Sequence, residues 1–308
     1  MNILIELPSW LGDSVMSTPA IENLASFFDD SKITLIGSLI AIEALKNHPK
    51  VVKTYVLDKK FIKFYKTVKG FGEFDIFFSF RGSLRSKFMK FFISSKNKYQ
   101  FDKHKYIENH QVEKYNNFVN DSLGNDSSPG KLRVHIQKKN IRKKNKLVGI
   151  NPGASYGNAK RWYPKNFADV AIDLSHEYDV IIFGGPEEKD IAADIEKYLI
   201  KSGIENYQNL AAKTSITELI NQIANLDLII TGDSGPMHLA AALQIPSITI
   251  FGPTNDKETS QWKNEKSIIL KKNLECQPCM KRTCPLKHHD CMKNIQASEV
   301  LEAVNRLT

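Results

Sequence analysis

Short apolar runs alternate along this chain with longer stretches in which apolar residues return every three or four positions. Asn2–Leu7 reads as a strand, Ser14–Phe28 as a helix and Ile33–Ile36 as a second strand. Val51–Leu57 and Asp75–Phe80 continue the strand pattern, with helical spacing at Leu84–Ile93 and His110–Leu123. Strands alternating with helices predict a mainly parallel sheet covered on both faces.

The rhythm is then interrupted. Residues 121–130 are turn-forming, and residues 131–146 carry eight Lys or Arg and no acid, the composition of a connector. Within it Leu132–Ile136 has the pattern of a short strand. After the break, strand patterns return at Lys146–Asn151, Asp179–Phe183, Asp227–Thr231 and Ser247–Phe251. Helical patterns fall at Pro164–His176, Glu187–Lys201, Ser215–Asn225 and Ser234–Leu243. The expectation is an α/β protein of two parallel-sheet domains, residues 1–143 and 144–308, facing a central cleft. The final helix, Ser298–Leu307, is left open between packing on the second domain and packing back on the first.

At 308 residues, 42% hydrophobic and 25% charged, the chain has the make-up of a globular protein rather than a disordered one. No apolar run reaches the roughly 20 residues that span a bilayer. The opening MNILIELPSWLGDSV lacks a cationic start and is broken by Glu6 and Asp13, so it reads as a strand rather than a secretory signal. A cytoplasmic location is expected. The net charge of +9 favours anionic partners: nucleic acid, a phosphorylated ligand or an acidic membrane surface. No RNA-binding aromatic signature or helix-turn-helix pattern supports the first of these.

Ligands of parallel sheets bind outside the carboxyl ends of the strands, which directs attention to four loops. In Pro8-Ser9-Trp10-Leu11-Gly12-Asp13-Ser14, Gly12 suits a tight turn, and Asp13 is either a helix cap or a general base. The loop from Asn151 to Trp162 combines glycines, Ser155, backbone amides, Lys160 and Arg161, a set suited to a diphosphate. It matches neither the Walker loop nor the dinucleotide GxGxxG pattern. After the strand ending at Phe183, Glu187 either accepts from ribose hydroxyls or is an acid favouring a helix start, and Glu188 reads as the latter. In Thr231–His238, Asp233, Ser234, Gly235 and His238 form an anion site at a helix start, or else a cap and a core histidine.

Together the Pro8–Ser14 loop, the Asn151–Trp162 loop, Thr231–His238 and the FGPT of 251–254 resemble the bacterial ADP-heptose:lipopolysaccharide heptosyltransferases, glycosyltransferase family nine. The nearest match is to the branch that extends the inner-core heptose. The resemblance runs from Met1 to the Cys-rich segment and thins across roughly residues 40–145. It implies a GT-B fold of two Rossmann-like domains, the first binding acceptor and the second the nucleotide-sugar donor. It further implies inverting transfer of L-glycero-D-manno-heptose from ADP-heptose to lipid-linked heptosyl-Kdo-lipid A, at the inner leaflet of the inner membrane. Asp13 then corresponds to the catalytic base, Ser155 and Lys160 to diphosphate-binding positions, Glu187 to a ribose-binding position, and Asp233, Ser234, Gly235 and His238 to the donor loop. Where the family often has Thr-Thr, this chain has Ala154-Ser155, and an extra residue is needed to bring Lys160 into register. Alternatives within the fold are heptosyltransferase I, another core transferase of the family, or a nucleotide-sugar epimerase.

On the acceptor side, Arg81 and Arg85 are candidates for binding phosphate or carboxylate, and His110 opens a helix. The basic, aromatic segments Lys59–Lys69 and Lys87–Tyr99 suit either an acidic membrane surface or a buried helix face. No acidic DxD pair stands where a divalent cation would clamp a diphosphate, so metal-independent transfer with no cofactor is expected. Cys276, Cys279, Cys284 and Cys291 cluster in a short segment with His288 and His289. Their uneven spacing favours reduced thiols over a structural zinc site. A basic nucleic-acid-binding protein built on the 131–146 run and a zinc-bound Cys cluster leaves the four loops unexplained.

Overall fold

The computed structural model describes residues 1–58, 67–136, 145–153 and 155–307. Most of the basic, aromatic segment Lys59–Lys69, half of the 131–146 run and Ala154 therefore lie outside the described residues. The chain divides into two compact units, Met1–Gln137 and Lys138–Thr308. No helix among the described residues is long and apolar enough to cross a membrane.

The first unit is built on a five-stranded sheet in the order β3-β2-β1-β4-β5. Its strands are β1 (Asn2–Glu6), β2 (Lys32–Gly37), β3 (Val51–Val56), β4 (Phe74–Ser79) and β5 (Ser95–Gln100), all parallel. Ile3, Leu4, Ile5, Phe77 and Phe78 are fully shielded, as expected of strands covered on both faces. The chain moves outward from β1 to β3 and then crosses to β4 on the other side of β1. The switch in direction therefore lies between β1 and β4.

The expected helix Ser14–Phe28 is two helices, Leu11–Met16 and Thr18–Phe27. Pro19 explains the break: its ring and missing N–H cannot continue the preceding turn, but it fits the first turn of a new helix. Thr18 Oγ1 donates to the carbonyl of Val15 and Ser17 Oγ to that of Ser14, closing the joint. Leu132–Ile136 is not a strand. Its backbone is irregular, with Leu132 and Val134 buried and Arg133 N donating to Thr18 Oγ1 at 3.0 Å.

The second unit holds a six-stranded parallel sheet in the order β11-β10-β9-β6-β7-β8. The strands are β6 (Lys146–Asn151), β7 (Tyr178–Ile182), β8 (Tyr207–Asn209), β9 (Leu228–Gly232), β10 (Ser247–Ile250) and β11 (Ser267–Leu270). Here the switch lies between β6 and β9. The last helix, Ala297–Leu307, places Val300, Ala303 and Val304 in the core of this unit, with Phe167, Val170 and Ile250.

Candidate active site

At each switch point two neighbouring strands end side by side, and the loops beyond them diverge to leave a crevice. In the second unit these strands are β6 and β9, whose register pairs Asn151 with Thr231. Asn151 Nδ2 donates to Thr231 Oγ1 and to Ser234 Oγ, both at 3.0 Å, locking the two strand ends together. Beyond them, Lys160 Nζ donates to Asp233 Oδ2 at 2.5 Å and to the Asp233 carbonyl at 3.3 Å. Thr254 Oγ1, in the loop after β10, donates to the same Asp233 oxygen at 2.6 Å. Asp233 is buried and Lys160 nearly so, with its ammonium 4.8 Å from the Tyr156 ring centre. Three of the four sequence-predicted regions thus meet around one ion pair.

The 152–160 loop passes close to its neighbours because glycine stands where a side chain would collide. A Cβ on Gly153 would lie 2.4 Å from Glu188 Cγ, and one on Gly157 would lie 2.4 Å from the Arg282 carbonyl oxygen. Gly157 also has φ +154°, a conformation disfavoured for other residues. Ser155 lies in an exposed turn of this loop.

The two acids after β7 differ in placement. Glu187 is exposed, whereas Glu188 is turned inward at 5% exposure. Glu188 Oε2 accepts from the Gly185 N–H at 2.7 Å, and Oε1 lies 3.7 Å from Arg161 Nη2. Glu188 Oε1 and Arg161 Nε are buried with no hydrogen-bond partner among the described residues. Glu188 was read from sequence as an ordinary helix-start acid; its burial against Gly153 makes it the carboxylate of this loop cluster. Ser234 and Gly235 open the helix Gly235–Ala242, and His238 is buried one turn further on.

The Cys-rich segment supports both the loop after β6 and the loop after β10, a role its spacing did not reveal. Tyr156 Oη donates to the Met280 carbonyl at 2.8 Å and Ala159 N to the Arg282 carbonyl at 3.0 Å. Met280 N donates to the Pro253 carbonyl and Gln277 Nε2 to the Gly252 carbonyl, both at 2.8 Å. His289 Nε2 lies 2.9 Å from the Ala159 carbonyl, so it carries the proton, and Nδ1 accepts from Tyr163 Oη at 3.2 Å. Trp162, 1% exposed, donates its indole N–H to the Ile295 carbonyl at 3.0 Å. All four cysteines are free thiols. Burial, followed by the charges of Cys276, Cys279 and Cys284, pushes the Cys291 thiol up to about 11.

In the first unit the corresponding strand ends are Glu6 of β1 and Ser79 of β4, again partners in register. The loop after β1 leads into the short helix Leu11–Met16, where Asp13 occupies the first turn and is half-buried. Gly12 is helical here rather than the pivot of a tight turn. The cap position is Trp10, which makes no side-chain cap, and Ser14 Oγ points back at the carbonyls of Pro8 and Trp10. Burial and then the Asp13 charge raise the Tyr115 phenol well above its ordinary range, which places that ring close to Asp13. Arg81 Nη1 lies 3.5 Å from Glu6 Oε1, and an Arg85 guanidinium nitrogen donates to the Asp58 carbonyl. His110 caps the helix Gln111–Leu123 through Nδ1, with Glu113 completing a capping box.

Among the described residues one group brings three potential metal ligands within 4.8 Å: Glu22, His48 and His135. Lys50 N donates to His48 Nδ1 at 3.2 Å, so the proton of the His48 ring sits on Nε2, which faces Glu22 at 3.5 Å. Arg133 Nη1 lies 3.7 Å from the other Glu22 oxygen. The group therefore serves as a hydrogen-bonded ion cluster between the helix Thr18–Phe27 and the 131–136 segment.

The sequence profile of glycosyltransferase family 9 (heptosyltransferase) matches residues 62–289. A lipooligosaccharide heptosyltransferase 2 from Campylobacter jejuni is 39% identical, the alignment covering 100% of this chain and 98% of the relative. The chain belongs to glycosyltransferase family 9. Among solved structures, this family-9 chain is similar to the ADP-heptose LPS heptosyltransferase II of E. coli, with TM-score 0.84 and 22% identity over 100% of this chain and 98% of that one. A glycosyl transferase family 9 protein from Veillonella parvula gives TM-score 0.85 at 20% identity, covering 99% and 96%. The fold is accordingly GT-B, and the protein is a glycosyltransferase.

Proposed function

We propose that this glycosyltransferase transfers L-glycero-D-manno-heptose from ADP-heptose to the inner-core heptose of lipopolysaccharide or lipooligosaccharide. The observation that carries the donor half is the Lys160–Asp233 pair, which gathers the loops after β6, β9 and β10 at the switch point. An ammonium held there, near the glycine-bearing loop after β6 and the start of the helix Gly235–Ala242, suits the charge of a nucleoside diphosphate. Ser155, Ser234 and Gly235 complete the anion-binding set, with His238 packed behind it. Glu188, rather than Glu187, is assigned to the ribose hydroxyls, since its Oε1 is a buried acceptor with no partner.

Asp13 takes the proton from the acceptor hydroxyl as that oxygen attacks the anomeric carbon. The bond from that carbon to the diphosphate oxygen breaks on the opposite face, and its electron pair leaves with ADP. Lys160 and the loop amides stabilise the charge that develops on the departing diphosphate. No divalent cation or other cofactor enters this scheme.

The acceptor is lipid-linked, and the helix Leu84–Phe92 offers a surface for it. Leu84 and Phe91 are 84% and 81% exposed, Phe88 is 41% exposed, and Lys87 and Lys90 lie on the same short helix, which has no acid. Apolar side chains among cations suit peripheral contact with an anionic inner leaflet from the cytoplasmic side.

The direct test is transfer from ADP-heptose to purified heptosyl-Kdo-lipid A, with Asp13→Ala and EDTA as controls. Transfer that survives EDTA and collapses in the variant is expected. An enzyme that binds ADP yet transfers only to Kdo-lipid A would assign it to the preceding step instead.

A further inference from the structure

Glu6 is a carboxylate inside an apolar strand, 2% exposed, and nothing in the proposed chemistry uses it. Its surroundings are specific. Ser79 Oγ donates to Oε2 at 2.5 Å and Ser86 Oγ donates to Oε1 at 2.8 Å. Ser83 Oγ, 2.8 Å from Ser86 Oγ, is then the donor in that contact, because the Ser86 proton is committed to Glu6. The hydroxyl of Ser83 thus backs Ser86, while those of Ser86 and Ser79 face the Glu6 carboxylate, Ser79 Oγ lying also 3.1 Å from the Arg81 carbonyl. Burial raises the Glu6 pKa above the usual carboxylate range, and Ser79, Arg81, Ser86 and Arg85 offset only part of that rise.

The same network fixes the main chain of Arg81. Its N–H donates to Ser79 Oγ at 3.3 Å and its carbonyl accepts from Gln100 Nε2 at 3.1 Å. Arg81 keeps one guanidinium nitrogen 3.5 Å from Glu6 while its side chain remains 25% exposed. Arg85 stands close enough for burial and then the Arg81 charge to lower its pKa, and Asp58 is the other acid nearby. Arg81 is thus held at the end of β4, with Arg85 on the helix that follows, beside β1, whose next loop carries Asp13. Buried carboxylates of this kind orient a guanidinium fork and leave its remaining N–H groups for a planar or tetrahedral anion.

We propose that Glu6 is a positioning residue that presents Arg81, beside Arg85, to an anionic group of the acceptor saccharide, a carboxylate or a phosphate. This rests on the transferase reading above and gives the acceptor side of the site its chemical class.

The test is equilibrium binding of a deacylated, phosphorylated heptosyl-Kdo oligosaccharide to the full-length wild type, Glu6→Gln, Arg81→Gln and the double variant, by titration calorimetry. Glu6→Gln and Arg81→Gln are each expected to weaken binding about tenfold or more, with ADP affinity unchanged. The double variant is expected to be no weaker than Arg81→Gln alone, since Glu6 acts through that arginine. Carboxyl-reduced and dephosphorylated forms of the oligosaccharide identify the anion: the form lacking it binds wild type and Arg81→Gln equally. Should Glu6→Gln fail to fold, Ser86→Ala removes one donor to the same carboxylate and is expected to weaken binding less, in the same direction. Additive losses, equal losses of ADP and oligosaccharide affinity, unchanged binding, or no preference of wild type for either anionic form would overturn the proposal. Because the readout is binding, a wild type that binds the oligosaccharide but does not transfer heptose would fail the catalytic reading alone.

Discussion

The two units solve the same topological problem with opposite chemistry. In each, the sheet reverses direction between two adjacent strands with paired residues at or next to their ends that share a hydrogen bond. In the second unit that pair is Asn151 and Thr231, both neutral, and charge enters from the loops as one ion pair, Lys160 with Asp233. In the first unit the pair is Glu6 and Ser79, and the charge is built into the strand itself, with two arginines answering it from the following loop and helix. Glycines at 153 and 157 let the backbone of the second unit's loop pass close to its neighbours, whereas the strand end of the first unit is surrounded by long side chains, the division that the proposed donor and acceptor roles would use. A diphosphate is compact and repeats in every donor, so a backbone cradle suits it. An acidic saccharide is bulkier, and guanidinium groups on extended stems reach it better.

The sharpest way to separate the halves is Asp13→Ala. It is expected to lower kcat by about 10² to 10⁴-fold while ADP binding, measured calorimetrically, stays at the wild-type value. An equal loss of ADP affinity would break the division between units.

Lys160→Ala should act on the other half, weakening ADP binding by about 100-fold. It also strands a buried Asp233, at a cost of about 3 kcal/mol in denaturant unfolding. Adding Asp233→Asn is expected to restore most of the stability and none of the affinity; recovery of both would show that Lys160 is only structural.

Glu188→Gln should weaken ADP binding by roughly tenfold, and Glu187→Gln should leave it unchanged. The reverse result would return the ribose to the exposed acid.

The smallest effect belongs to the Glu22 cluster, which has no catalytic part. Burial pushes its carboxyl up, but hydrogen bonds from His48 and His135, with the charges of His48 and Arg133, outweigh this and hold it at about 2. A lowered folded-state pKa contributes stability above the unfolded value near 4.5 that is lost as pH falls toward about 2. Discounted for partial exposure, the contribution is about 1 kcal/mol. Glu22→Gln should flatten the unfolding profile across that window, and an unchanged profile would remove the cluster from the stability of the first unit.

Much of this was legible because buried parallel strands are continuous apolar runs. The strands that escaped the pattern, β5 (SKNKYQ), β8 and β11, all lie at sheet edges, where one side is unpaired and polar residues are tolerated. The loops carrying Asp13, Lys160 and Asp233 were found because each follows a readable strand. Glu188 does stand at a helix start, as its position suggests, but its burial was not legible, because the 3-10 turn at Pro186–Glu188 decides which of the two acids turns inward. Glu6 left one faint signal, a single acid inside ILIEL. Its partners Ser79, Arg81 and Ser86 are more than 70 positions away, so only the β1–β4 pairing brings them together.

The Cys-rich segment has a consequence for how the protein is made. The loops at 152–162 and 251–254 are hydrogen-bonded to carbonyls and side chains of residues 277–295. A nascent chain could therefore settle the first sheet early, but these loops of the second unit would lack their backing until the ribosome had delivered Ile295. Premature termination between Gln277 and Ile295 would release a product with the ion pair encoded and part of its scaffold missing.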